Sequence, residues 1–261
     1  MAPRGSLLEI HLATVLFGLA GLFGKWIALS PFRIVLGRVF FAGAALGLVL
    51  LATRQSLRVI WRERAALLLV LGAILAGHWA AFFQSIQVST VAVGLLSYSC
   101  FPVFTVLLET LFFGERLDRF NLIMAGVCLA GVFLMVPRFE LADRVFQGVL
   151  WGLSAGLSFA VLTLFNRRLA PKYSSLAIAF FEDSFAALLL LPVLFFRGAA
   201  VSAQIWGLLV LLGIVCTALG HTLFIQGMRR VRAQTASIIS SLEPVYGTAF
   251  AFFLLSETPA L

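Results

Sequence analysis

Charged residues are scarce in this chain. They make up 11% of its 261 positions while 62% are hydrophobic, against about 25% charged in a typical soluble domain. Together with a mean hydropathy of +1.07, the shortage excludes a soluble globular domain and points to a chain that crosses a membrane many times. Cysteine is sparse too. Cys100, Cys128 and Cys216 all lie in apolar segments without paired spacing, which argues against a disulfide framework or a redox motif and leaves them as small packing residues. The three histidines form no ligand cluster, so neither a metal nor a cofactor is expected. A small-residue cleavage site after a short apolar core is also missing, so the first apolar segment reads as a retained helix and not as a signal peptide.

What is present is a series of runs long enough to cross a hydrocarbon core of about 30 Å. They cover His11–Leu29, Phe32–Ala52, Ala65–Phe83, Val91–Phe113, Asn121–Val136, Gln147–Phe165, Leu176–Phe196, Ile205–Ile225 and Ala233–Leu255, which predicts nine helices. Connections are short, the longest expected at Thr53–Arg64, with Pro31, Pro137 and Pro171 marking turns. The net charge of +8 sits between these runs instead of forming one patch, which excludes a nucleic-acid surface. With the N-terminus inside, basic residues cluster at Arg54–Arg64, Arg167–Lys172 and Arg229–Arg232, while Lys25, Arg33, Arg138, Arg144 and Arg197 fall outside. The count is thirteen inside and five outside, with Arg38 within a helix, so the N-terminus is expected in the cytoplasm of a bacterial inner-membrane protein.

Laying the chain on itself with an offset of 142 aligns Gln84–Glu115 with Gln226–Glu257 without a gap. Gln84 meets Gln226, Pro102 and Val103 meet Pro244 and Val245, and Glu115 meets Glu257. An odd number of helices per repeat inserts the second copy upside down, and the charges agree: the loop at Ser85–Thr90 has no basic residue, whereas its counterpart carries "RRVR". The chain therefore divides into a first inverted repeat, 1–140, and a second, 141–261. The counterpart of Asn121–Val136 would follow Leu261, so the plan is a ten-helix fold whose tenth helix is missing from this chain.

Two halves that each run through a serine-rich helix and a proline to a closing glutamate ("FPVFTVLLETLFFGE" and "LEPVYGTAFAFFLLSE"), with "GRVFFAGAALGL" in the second helix, resemble the EamA-type transporters of the drug/metabolite transporter superfamily. The resemblance covers essentially the whole chain. It implies ten helices, both termini inside, and export of small metabolites, with aromatic or hydrophobic amino acids the nearest substrate class.

Within that frame the polar residues inside apolar runs are the candidate site. Pro244 frees the carbonyl near Ser240, and Pro102 repeats the fault beside Tyr98, so both are expected as hinges facing a central cavity. Glu243 falls near mid-membrane, where a carboxylate is costly unless paired or wet, and is expected to meet a substrate amine or a proton, or to bond a neighbouring helix. His78 and His221 occupy nearly equivalent positions in the two halves and join the cavity candidates, with Phe17, Trp79, Tyr98, Phe159, Thr163 and Ser240. Glu182 and Asp183 are neighbours on the seventh helix, and Arg38 lies on the equivalent helix of the other half. A charge pair bridging those helices, with a coupling or gating role, is the expectation. The expected partners are a small-molecule substrate and the lipid bilayer, no nucleic acid, and at most a weak homodimer.

Two rival readings use other features. The stretch "GLSAG", Gly152–Gly156, matches a nucleophile elbow with Ser154 as nucleophile and His221 as base, but it sits in a transmembrane helix where its glycines are spaced for helix packing. A non-catalytic membrane scaffold is the other, and the buried polar residues of paired halves argue against it.

Overall fold

The computed structural model describes residues 4–114, 119–196 and 201–256. All regular structure among them is helical. The first half comprises α1 (Arg4–Trp26), α2 (Pro31–Ala52), α3 (Arg58–Val88), the broken pair α4 (Val91–Tyr98) and α5 (Phe101–Phe113), and α6 (Arg119–Met135). The second half follows with α7 (Arg144–Leu169), α8 (Ser175–Leu190) continued by a 3₁₀ turn (Leu191–Phe195), α9 (Ala203–Leu211), a π-helical stretch (Leu212–Leu219) leading into α10 (Gly220–Gly227), and the broken pair α11 (Ala233–Ser240) and α12 (Glu243–Leu255). Eight spans among the described residues are long and apolar enough to cross a membrane, and α6 covers the ninth expected segment with 17 residues. The chain is a multi-pass, all-α membrane protein.

The predicted repeat holds at the level of single residues. Adding 142 to the bounds of α4 and α5 gives those of α11 and α12. Both broken helices also end alike, in left-handed residues, Gly114 at φ 68° and Ser256 at φ 54°. The closing glutamates Glu115 and Glu257, and Arg116 and Arg197, lie outside the described residues. Pro102 and Pro244 are the second residues of α5 and α12, where a missing N–H costs nothing because a helix start has no partner for it. The helices are thus broken before the prolines, with Ser99–Cys100 and Ser241–Leu242 as the joints, and are not merely kinked at them.

Each half packs mainly against the other. α1 lies on α10 and α12, and its mirror image α7 lies on α3 and α4, while α2 and α8 pack together. Glycine permits the closest approaches. A Cβ on Gly18 would stand 2.9 Å from Gly247 N, and one on Gly156 would stand 2.8 Å from Tyr98 O. At Gly152 it would collide with the Ser97 side chain, so the glycines of "GLSAG" serve helix packing. Large apolar side chains such as Leu51, Leu134, Phe195 and Phe253 are exposed around the perimeter, as lipid solvation requires.

Two departures from the expected layout matter. The connection expected at Thr53–Arg64 contracts to 53–57, because α3 starts at Arg58 and runs 31 residues, longer than a bilayer core requires. The eighth predicted span is also not a plain helix: its π-helical stretch has no counterpart in α3 and carries Thr217, which meets Arg38 of the second helix. Hydrophobic periodicity registers neither feature. Cys100 and Cys128, far apart in sequence, bring their sulfurs to 2.8 Å where α6 meets the α4–α5 joint, and both are free thiols.

Candidate functional site

Between the halves lies a cavity lined by Phe17 and Ala20 of α1, Arg38 of α2, Leu75, His78, Trp79 and Phe82 of α3, Tyr98 of α4, Phe159 of α7, His221 of α10 and Glu243 of α12. The structure therefore brings together most of the expected substrate residues, and it adds Arg38, which sequence reasoning had assigned to coupling. Thr163 and Ser240 are buried but do not line the cavity. Ser240 holds the position equivalent to Tyr98, and its short side chain ends against the Thr14 hydroxyl at 3.5 Å, short of the cavity. The cavity offers about 30 Å³ to the centre of a water-sized sphere, room for a water or two. The site is thus narrow at its centre in this conformation.

Its frame is aromatic and symmetric. Phe17 and Phe159 are exact repeat mates, and their rings meet edge to face at 6.4 Å. Phe224 touches both, at 5.8 and 5.3 Å. His78 stacks on Phe159 at 5.2 Å, and its Nδ1 lies 2.9 Å from Ala155 O. That contact fixes the tautomer with the proton on Nδ1, donating to the carbonyl.

The polar wall, in contrast, belongs to one side. The Arg38 guanidinium lies 3.8 Å from the centre of the Trp79 ring, and its Nε donates to Thr217 Oγ1 at 2.9 Å. The Thr217 hydroxyl in turn donates to Leu212 O, across the π turn. His221 Nε2 stands 3.3 Å from Glu182 Oε2, and His221 Nδ1 stands 4.0 Å from Asp183 Oδ1. Asn166 Nδ2 donates to the same Glu182 oxygen at 3.3 Å. A direct pair of Arg38 with Glu182 or Asp183, as the sequence led us to expect, is not among the ion pairs of the described residues; the histidine takes the acids, and the arginine takes tryptophan and threonine. Stacking on an indole keeps a desolvated guanidinium stabilised without a carboxylate in contact. Glu182 Oε1, both Asp183 oxygens, Glu243 Oε2 and Thr163 Oγ1 are buried without hydrogen-bond partners. Asn166 and Thr217 escaped sequence reasoning because a lone amide or hydroxyl in an apolar run carries no pattern.

The hydrolase reading fails on geometry. Ser154 is exposed and its hydroxyl donates to Leu150 O at 2.8 Å, whereas His221 is buried against Glu182, Asp183 and Trp79. Among the described residues no His, Cys, Asp and Glu grouping fits a metal ion.

The two ends of the molecule differ. At the end opposite the N-terminus, Gln87 Nε2 donates to Leu29 O at 2.8 Å, Lys25 Nζ to Ser89 O at 2.7 Å, and Ser85 Oγ to Gly148 O at 2.5 Å. At the N-terminal end, Arg229 and Pro171, the repeat mates of Gln87 and Leu29, line an open recess of about 600 Å³ together with Ser6, Glu9 and Gln226.

This architecture has known relatives. The EamA-like transporter family model matches residues 5–136 and again 146–261. The chain belongs to the EamA-like transporter family. It is 26% identical over 244 residues to the uncharacterised transporter YxxF of Bacillus subtilis, covering 92% of this chain and 78% of the relative. It is 30% identical over 182 residues to an uncharacterised transporter of Archaeoglobus fulgidus, covering 70% and 65%. It is also 25% identical over 225 residues to the pseudopaline exporter CntI of Pseudomonas aeruginosa, covering 85% and 78%. A solved structure matches 99% of this chain and 91% of its own length with a TM-score of 0.72 at 20% identity, a likeness of fold. This EamA-like chain is thus a membrane transporter by family.

Proposed function

We propose that the chain exports small amphipathic metabolites, hydrophobic or aromatic amino acids first among them, from the cytoplasm across a bacterial inner membrane. In this reading the N-terminus lies in the cytoplasm and the recess beside Arg229 opens to that side. The observation that carries the proposal is the composition of the cavity wall. An aromatic frame accepts an apolar side chain, and one fixed cation, Arg38, and one carboxyl, Glu243, face the same space. A zwitterion complements that pair, its carboxylate toward Arg38 and its ammonium toward Glu243. The narrow centre and the recess at one end fit a carrier that exposes its site to each side in turn. Pro102 and Pro244, beside the two helix joints, are the hinges of that motion. A relative that is an exporter supports the direction. The transporter acts as a monomer or weak homodimer, and the two repeats, 1–140 and 141–261, are its moving units.

The test is uptake of radiolabelled phenylalanine, leucine and glutamate into proteoliposomes containing the full chain. Phenylalanine and leucine are expected to accumulate faster than in empty vesicles, and glutamate not. Uptake of none of the three would overturn the substrate class.

A further inference from the structure

The joint between α4 and α5 holds a side-chain pair for which the cavity has no use. Cys100 immediately precedes α5 and is wholly buried, and the Cys128 sulfur of α6 lies 2.8 Å from its own. Cys128 also reaches the Ser99 carbonyl at 3.9 Å, so its thiol sits against both residues of the joint. Both cysteines are free thiols. From such a contact a disulfide of about 2 Å closes with only a small movement of the two sulfurs. The third thiol, Cys216, lies in the π-helical stretch of the other half.

Position decides what such a bond does. The joint is near the middle of the span Val91–Phe112, and Tyr98, the residue before it, lines the cavity. Tyr98 stacks at 5.2 Å on Phe101, the residue after the joint, and Phe101 meets Phe159 at 5.0 Å. Whatever fixes Cys100 therefore fixes the backbone that carries Tyr98 and Phe101. α6 is a suitable anchor, since its C-terminal end packs through Val132, Met135 and Val136 around Val93 and Val149. The repeat mate of Cys100 is Leu242, so the second joint has no thiol at this position.

Access differs between the two sulfurs. Cys128 is partly exposed between Val127 and Leu129, which are 64% and 51% exposed on the perimeter, so an oxidant dissolved in the bilayer meets it first. A thiol in lipid stays protonated, which makes it slow toward aqueous peroxide. Proximity compensates, because an oxidised Cys128 already touches the thiol that resolves it.

We propose that Cys100 and Cys128 form a redox modification site, at which an organic hydroperoxide dissolved in the bilayer closes a disulfide that ties α6 to the first joint and arrests transport. The steps balance. The Cys128 sulfur takes the terminal hydroxyl of the hydroperoxide, the O–O bond breaks, and the remaining oxygen leaves with the thiol proton as an alcohol. The Cys100 sulfur then attacks the sulfenic sulfur, the S–O bond breaks, and the hydroxyl leaves with the Cys100 proton as water. Two thiols are oxidised and one hydroperoxide is reduced. The modification site stands apart from the export reading; the arrest rests on the hinge role that reading gives the joint.

The experiment treats the full chain in proteoliposomes with cumene hydroperoxide. It reads free thiols by maleimide labelling and intact mass after denaturation, amide hydrogen exchange over 99–103, and phenylalanine uptake. The untreated chain is expected to take three maleimides, one per cysteine. After treatment it takes one, at Cys216, and has lost the mass of two hydrogens; exchange at the joint slows, uptake is lost, and dithiothreitol restores all three readings. Cys100→Ala combined with Cys128→Ala is expected to keep its uptake with and without peroxide, which separates the disulfide from general oxidative damage. Free thiols at Cys100 and Cys128 after treatment, a sulfinic acid at Cys128 in place of the disulfide, or a bond to Cys216 overturns the site. A disulfide that changes neither exchange nor uptake overturns the arrest, as does an equal loss of uptake in the double variant. A disulfide that slows exchange in a chain that takes up no phenylalanine even when reduced overturns the amino-acid reading and leaves the site standing.

Discussion

At the end of the molecule away from the N-terminus, Gln87 is bonded to Leu29; at the N-terminal end their mates Arg229 and Pro171 line a recess, and the halves are tied instead by Tyr173 Oη donating to Glu63 Oε2 and Ser174 Oγ to Gln55 Oε1. The backbone plan of the two halves agrees to the residue in the broken helices, so this difference is one of conformation and side chain, not of topology. The same contrast runs through the cavity. Phe17 and Phe159 are identical mates, but Glu243 stands opposite Phe101, His221 opposite Trp79, and Arg38 opposite Phe180. A symmetric scaffold can exchange its open and closed ends; an asymmetric lining gives a substrate one orientation in both states. In the proposed export cycle the repeat supplies the motion, whereas the departures from the repeat supply the recognition.

Substitutions at mated positions break or sharpen this comparison. The largest effect belongs to the buried acids. Glu182→Ala leaves His221 and Asn166 without their acceptor and is expected to cost about 3–5 kcal/mol. Its mate Phe40 is 57% exposed on the perimeter, and Phe40→Ala is expected to stay within about 0.5 kcal/mol. Thermal unfolding in detergent compares the two, and equal losses would break the asymmetry. Next comes helix contact. Gly156→Thr, which copies the mate Thr14 into α7, drives a side chain against the Tyr98 carbonyl and is expected to cost about 1–3 kcal/mol. Gly207, with nothing within 4 Å of its Cβ position, serves as control, since Gly207→Ala is expected to be neutral or to stabilise by up to about 1 kcal/mol.

The smallest effect concerns helix starts. Thr90 caps α4 by accepting from Val93 N at 3.1 Å, while its mate Arg232 gives α11 no side-chain cap. Thr90→Ala is expected to lower stability by about 1 kcal/mol, and Arg232→Thr to raise it by up to about the same amount. Hydrogen exchange in the first turns of α4 and α11 reads both changes, and a cap gained without added protection would contradict the assignment.

Much of this was legible in the sequence because its causes are local or periodic. Length and hydropathy mark the spans, the fixed offset marks the repeat, and a carboxyl such as Glu243 within an apolar run must face protein. Other features follow from packing, which periodicity does not encode. The partner of Glu182 proved to be His221 and not Arg38, because the π turn sets Thr217 where it takes the guanidinium Nε. Ser240 was expected at the substrate because Pro244 frees the carbonyl near it, but its side chain is too short to reach the cavity and ends against Thr14. The pairing of Cys100 with Cys128 depends on the joint between α4 and α5, which no spacing of cysteines announces.

The central claim is that the two ends are exchanged states of one symmetric device, and cross-linking tests it most directly. With Cys100, Cys128 and Cys216 replaced by alanine, one variant carries Leu29→Cys with Gln87→Cys, and a second carries Pro171→Cys with Arg229→Cys. At rest, a short bifunctional thiol reagent is expected to link the first pair much faster than the second. Under turnover with phenylalanine the first rate is expected to fall and the second to rise. If the pair at the N-terminal end links as fast as the other at rest, and neither rate responds to substrate, the two ends are not alternating gates.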